Sequence, residues 1–199
     1  MPLSSTAENY ALDQLGSNKL LYVSLHTAYS ATGTNEVTGG GYARQAATWS
    51  AASGGSKALA AVLPSFSVPS STTVEFVGFW DASTSGNFQG MFPNGGGAPF
   101  TFSAAAATSV FSAPGSSYSN GQTVVVFPTA GSTTPGGFTA GTVYFVINAS
   151  TDTFKLSATL SGSAVTVSAD GSGIVAAITP EAFGSSGTFA LTSGSVTLS

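Results

Sequence analysis

Residues 74–81 read VEFVGFWD, with Phe76 and Trp80 alternating with Val77 and Phe79. A half-buried strand alternates apolar with polar, whereas this run is apolar on both faces, which predicts a central strand covered from two sides. Upstream, KLLYVSLH (residues 19–26) shows the plainer pattern. Leu21, Val23 and Leu25 share a core face, and Tyr22, Ser24 and His26 share the other, which is expected to be wet. Beyond these two runs the chain is divided at short intervals by Gly, Pro, Ser and Asn, as in domains built from many short strands. Only the N-terminus departs from this texture. There Ser5 and Glu8 have the spacing of a capping box, Ala7, Tyr10, Ala11 and Leu15 recur at helical spacing, and Gly16 is placed to stop a short helix. The expected class is all-β.

Composition limits what such a protein can do. The chain has 199 residues, of which 6% are charged and 42% hydrophobic, with 25 Gly and 14 Phe. Disordered chains combine low hydrophobicity with high charge, so this one is expected to fold. A net charge of −4 with 4 basic residues leaves no basic stripe to neutralise phosphates, so neither nucleic acid nor an anionic membrane surface is an expected partner. The absence of cysteine excludes disulfides and thiolate metal sites. No basic leader followed by an apolar core opens the sequence, and no run is long and apolar enough to span a bilayer, so neither signal targeting nor membrane insertion is expected. The glycosylation-like triplet NAS (residues 148–150) reads as a turn.

Residues 98–178 have a texture of their own, in which TVVVFP, TVYFVIN, TFKLSATL and AVTVSA lie between the turn signals APGSSYSNGQ, TAGSTTPGGFTAG, NASTDT and ADGSG. This predicts a small β-meander or barrel-like domain inserted into a β-sandwich host formed by 1–97 and 179–199, since loop tips with neighbouring ends accept such insertions. A single larger sandwich with a long meander is the alternative.

The runs YVSLHTA, TGTNEVTGGGYARQAATW, VGFWDASTSGNFQG and GTFALTSGSVTLS resemble a family of small tailed-bacteriophage virion proteins, of the tail-fibre-like or minor tail type. The resemblance covers about residues 3–92 and 180–199 and passes over the middle region, which is itself similar to a β-module embedded in phage structural proteins. In that family LHTA commonly continues into Asp-Pro-Gly. Here Tyr29 and Ser30 stand at those places, so a turn-forming acid is missing from the loop.

His26, Glu36 and Arg44 are concentrated in one stretch and invite an enzymatic reading. That reading needs His26 and Glu36 or Asp81 to converge with a serine nucleophile, yet no GxSxG elbow frames one. Glu75 and Asp81 lie roughly 20 Å apart on one predicted strand, too far to act as a glycosidase pair. One histidine and scattered acids offer no metal cluster, and GGFTAG and TGGGYA lack a Walker lysine, so no metal or cofactor is expected. The alternative is structural: His26 bonds to backbone at a strand end, while Glu36 and Arg44 brace the loop through Gly39, Gly40 and Gly41. Trp80 and Tyr144 are the candidate glycan or partner contacts.

A folded surface depleted in Lys, Glu and Asp suits extensive protein contacts, because interface cores show the same depletion. The expected function is therefore a non-enzymatic virion structural protein, tail-associated and homo-oligomeric, assembled in the host cytoplasm among other virion proteins. A capsid decoration or minor capsid protein, and a host-surface glycan adhesin, are the alternatives.

Overall fold

The computed structural model describes residues 3–198, so the outermost ends of the expected host segments, 1–97 and 179–199, lie outside the described residues. The chain separates into two compact units, Met1–Phe92 with Glu181–Ser199, and Pro93–Pro180.

The first unit begins with α1 (Ser5–Asn18). Its N-cap is Ser4, whose hydroxyl accepts from the Ala7 amide, so the expected Ser5/Glu8 capping box does not form. Nor does Gly16 end the helix, which continues to Asn18 with Lys19 as its C-cap. Gly16 is buried because Leu12 and Gly16 are the inward positions, and Tyr10, expected on that face, is 67% exposed. A methyl group on Gly16 would overlap the Lys57 side chain. The reason lies in tertiary contact: the buried Lys57 ammonium donates to Asp13 Oδ1 at 2.5 Å and to the Ser50 carbonyl at 2.7 Å, and its stem needs the space a side chain would fill.

The strands of this segment are β1 (Tyr22–His26), β2 (Gln45–Ala46), β3 (Ser56–Ala58), β4 (Ser65–Val68), β5 (Thr72–Val74), β6 (Phe76–Trp80) and β7 (Phe88–Pro93). Four of them form a sheet in the order β2-β1-β6-β7. All five positions of β6 are buried, as an apolar run on both faces requires. VEFVGFWD is nevertheless not one strand. It changes partner at Glu75, whose amide donates to the His26 carbonyl at 2.9 Å. The opposite face of β1 is not wet either, since Ser24 and His26 are completely buried.

The second unit is a closed barrel of six strands: β8 (Phe100–Ala105), β9 (Val110–Ser112), β10 (Thr123–Phe127), β11 (Tyr144–Ile147), β12 (Thr153–Ser157) and β13 (Gly171–Ala177), ordered β10-β11-β12-β9-β8-β13 with β13 returning to β10. Closure leaves no sheet edge to cover. Phe111 lies at the centre of the core, stacked on Phe154 at 5.6 Å and edge-on to Phe138 at 5.1 Å. The turn expected at NAS is present, with Asn148 at φ 52° between β11 and β12.

AVTVSA does not form a strand, and GSGIVAA, whose first three residues belong to the turn-like ADGSG, is the seam strand β13 that pairs with both β8 and β10. Its glycines serve close packing: a Cβ on Gly173 would overlap the Phe127 carbonyl and one on Gly171 would overlap Pro135.

The chain then returns to the first unit as β14 (Glu181–Phe183), β15 (Gly187–Ala190) and β16 (Ser195–Thr197). These pair in reverse order with β5, β4 and β3. The β14/β5 and β15/β4 ladders keep the same offset, and bonds from Leu191 to Pro64, Leu59 to Gly194 and Leu198 to Gly55 bridge the gaps. The C-terminal segment thus runs antiparallel along residues 55–74 in three successive two-stranded pairings. It places Phe189 and Leu191 in the same core as Val74 and Val77.

Candidate functional site

The concentrated residues come together around the end of β1. An isolated antiparallel bridge sets Glu36 opposite His26. Three successive glycines at φ 83°, 61° and 80° then turn the chain toward Arg44, and a side chain at the middle one would strike Pro69. Ordinary L-residues avoid that run of left-handed backbone.

Arg44 is the hub of the charged cluster. Its Nε donates to Glu36 Oε1 at 2.9 Å and its Nη2 to Oε2 at 2.7 Å, the parallel fork that a guanidinium makes with a carboxylate. The remaining nitrogen, Nη1, donates to the carbonyls of Ala82 at 3.1 Å and Ser85 at 2.7 Å, which ties down the loop after β6. The guanidinium carbon lies 3.5 Å from the centroid of the Trp80 ring, a cation–π arrangement. Tyr42 links the cluster to β1: its hydroxyl accepts from the Leu25 amide at 2.8 Å and donates to Glu36 Oε1 at 3.1 Å. Burial pushes the Tyr42 phenol well above its ordinary pKa, with Glu36 adding to the effect.

His26 contacts none of these side chains through its ring nitrogens. Nδ1 lies 3.0 Å from the Thr34 carbonyl, which can only accept, so Nδ1 carries the proton. Nε2 then accepts from the Ser24 hydroxyl at 2.8 Å, and Ser24 Oγ accepts from Trp80 Nε1 at 3.0 Å. The result is a directed chain from Trp80 through Ser24 and His26 to Thr34. A serine beside a histidine suggests a nucleophile and its base, but both are fully buried, and the orienting partner is a carbonyl rather than a carboxylate. The sequence reading missed Ser24 because strict alternation placed it on the face taken as wet.

Space for this chain comes from Gly78, opposite Ser24 in the β1/β6 ladder. A Cβ there would lie 2.6 Å from His26 Nε2 and 2.7 Å from Ser24 Oγ. Gly78→Ala is therefore expected to break the Ser24–His26 bond and to lower stability by about 1–3 kcal/mol, measured as a reduced denaturation midpoint with an unchanged slope.

The network also predicts a pH dependence. Burial holds the His26 imidazole below its ordinary pKa, against the opposing pull of the Thr34 carbonyl and Glu36, while Arg44 adds to the depression. The unfolded chain takes up a proton below about pH 6.5 and the folded one resists it. Stability is thus unaffected by this group above that pH, falls by at most about 1.4 kcal/mol per unit as pH drops below it, and levels off once the folded imidazole titrates. Glu75, pushed upward by burial, contributes with the opposite sign in the carboxylate range. An imidazole titration by NMR together with melting curves between about pH 7.5 and 5 checks both the onset and the direction.

The loop after LHTA is organised by Ser30. Its Oγ accepts from the amides of Thr32 at 3.1 Å and Thr34 at 2.9 Å and from the Thr34 hydroxyl at 2.8 Å. A serine hydroxyl here does the local work usually given to an aspartate. Trp80 and Tyr144, the candidate contacts, are 8% and 6% exposed. Arg44 covers Trp80, and the Tyr144 hydroxyl accepts from the Thr139 amide at 3.0 Å. Trp80 belongs to the first unit and Tyr144 to the second. Among the described residues, no group of acids and histidine is arranged to hold a metal ion, and no helix is long and apolar enough to cross a membrane.

No curated protein and no solved structure matches the chain. Residues 3–93 match the family model described as Podophage GP4 fiber I protein gp80. The matched segment carries α1, the four-stranded sheet and the His26/Glu36/Arg44 cluster. The match spans less than half of the chain, and over that segment it supports a phage tail-fibre-like virion protein family.

Proposed function

We propose that the protein is a non-enzymatic, tail-associated structural component of a phage particle, which assembles through protein–protein contacts and forms homo-oligomers. The observation that carries this reading is the family match over residues 3–93. The engagement of the cluster agrees with it: Glu36, Arg44, Tyr42 and His26 are bonded to each other, to Trp80 or to main chain, and they brace the bends at residues 30–44 and 82–85. A shell poor in charge suits docking on neighbours, because little charge must be desolvated there.

In this reading residues 98–178 are a module inserted into the tail-associated domain. Asn94 and Thr179 support it by exchanging two bonds within the second unit: the Asn94 amide group donates to the Thr179 carbonyl at 2.8 Å and the Thr179 amide to the Asn94 carbonyl at 2.7 Å. The module's two ends are thereby held side by side, as insertion into a single loop requires.

The decisive experiment is a density map of intact particles combined with protein stoichiometry. The expected result is density on the tail and a copy number of about three, six or twelve, the low multiples that cyclic symmetry permits. Hundreds of copies over the head would replace this reading with capsid decoration. Cleavage of a host cell-wall polymer that is abolished by His26→Ala would overturn the non-enzymatic part.

A further inference from the structure

The second unit carries a groove that none of the foregoing uses. Two adjoining depressions, each about 440 Å³, meet at Asn120. One is lined by Ser117, Ser119, Ser150 and Thr151 with Tyr118 and Ala149, and the other by Asn148, Ser161, Leu160 and Ile147. No acidic or basic side chain lines either one.

Several features distinguish this groove from ordinary hydroxyl-rich surface. Asn120 Oδ1 accepts from the Ala149 amide at 2.8 Å, which fixes the side chain across the groove and leaves its Nδ2 to donate. Ser117, Asn148 and Ser161 stand at φ 47°, 52° and 59°, left-handed turn positions like those of Ser71, Ser85 and Ser109 elsewhere in the chain. One residue before Ser117, Ser116 holds its Oγ buried with no hydrogen-bond partner. Leu160 is 62% exposed at the edge of the second depression, a large apolar side chain left uncovered.

The ligand class follows from this chemistry. Without Lys or Arg the groove offers no anchor to phosphate, sulfate or carboxylate groups, which excludes nucleic acids, lipid headgroups and acidic glycans. Its apolar lining, Ile147 and Leu160 in the second depression and Tyr118 and Ala149 in the first, is interrupted by Asn120 and the serines, so it lacks the continuous apolar patch that a hydrophobic peptide needs. Rigid amide and hydroxyl groups beside one aliphatic patch suit a ligand that presents hydroxyls on its edges and C–H groups on a face. We propose that this groove binds a neutral oligosaccharide, with Asn120 at the junction of two sugar residues and Leu160 against a pyranose C–H face. The site lies in residues 117–162, outside the segment that carries the family match, so it stands or falls independently of tail attachment.

The test uses the full-length protein on an array of neutral, sialylated and sulfated oligosaccharides, followed by NMR titration with the best neutral oligosaccharide retained. Ser119→Trp and Ser150→Trp, at exposed positions, fill the first depression, and Leu160→Ser removes the patch from the second. Each is expected to weaken binding at least about tenfold while the melting of the barrel is unchanged. Tyr10→Ala, on the exposed face of α1, is expected to leave binding as it was. If an indole variant loses the fold, Leu160→Ser carries the test alone. Retention of charged glycans only, retention of nothing neutral, or neutral binding that survives all three groove substitutions overturns the proposal.

Discussion

Ending the chain after Pro180 is expected to abolish the cooperative melting of the first unit and to leave that of the second intact. Residues 181–199 look dispensable as a tail, yet they supply the partner strand for β3, β4 and β5. Removing them strips the ladder from residues 55–74 and exposes Phe66, Val68 and Leu59, which now bury against Phe189 and Leu191. The point variant gives a graded version of the same test. Phe189, 2% exposed and edge-on to Phe66 at 6.3 Å, is expected to cost about 3–5 kcal/mol when changed to Ala, a large part of the roughly 5–15 kcal/mol that holds a typical domain folded. The barrel closes on its own six strands and loses no pairing. Two separate transitions in calorimetry of the full chain, one of which disappears on truncation, is the expected outcome. Loss of both at once would show that the units fold as one.

The second large effect is expected at Arg44. Arg44→Ala removes three bonds to Glu36, two to the carbonyls of Ala82 and Ser85, and the cover over Trp80. It also leaves the partly buried Glu36 carboxylate with only the Tyr42 hydroxyl as partner. Breaking such a pair from one side is worth about 3–4 kcal/mol, more than forming it contributes, because the remaining charge stays desolvated. Arg44→Lys is expected to recover little. An ammonium cannot reach both carboxylate oxygens and two carbonyls from a single planar fork, and it stacks less well on an indole. Chemical denaturation of the three proteins measures this, and hydrogen exchange should show faster opening at residues 82–85 in both variants. A lysine variant as stable as the parent would reduce the cluster to a simple charge pair.

The sequence carried different parts of this structure with unequal clarity. Val74–Asp81 announced a buried strand because apolar residues fell on both faces, and Phe76–Trp80 is buried throughout. The same run hid its break at Glu75, since pattern alone does not reveal that one stretch serves two partners. In the barrel, TVVVFP, TVYFVIN and TFKLSATL lie where β10, β11 and β12 form. β8, β9 and β13 were missed because Ala, Ser and Gly mimic loop composition. At the cluster, the residue types marked the location, but the groups that complete it, Ser24, Tyr42 and the Thr34 carbonyl, carry no local signal.

Class was therefore settled by the linear pattern: close-set turn residues, period-two runs and one short helical repeat leave few architectures other than an all-β protein with a helix at its start. The order in which six strands close the barrel, the choice of β3, β4 and β5 as partners for the returning C-terminus, and the burial of a histidine on a face that reads as polar were decided only in three dimensions. Each depends on which atoms lie opposite one another across the sheet or the core. A glycine that reads as a turn becomes a seam when a carbonyl presses against it, and a serine that reads as surface becomes interior when a tryptophan donates to it.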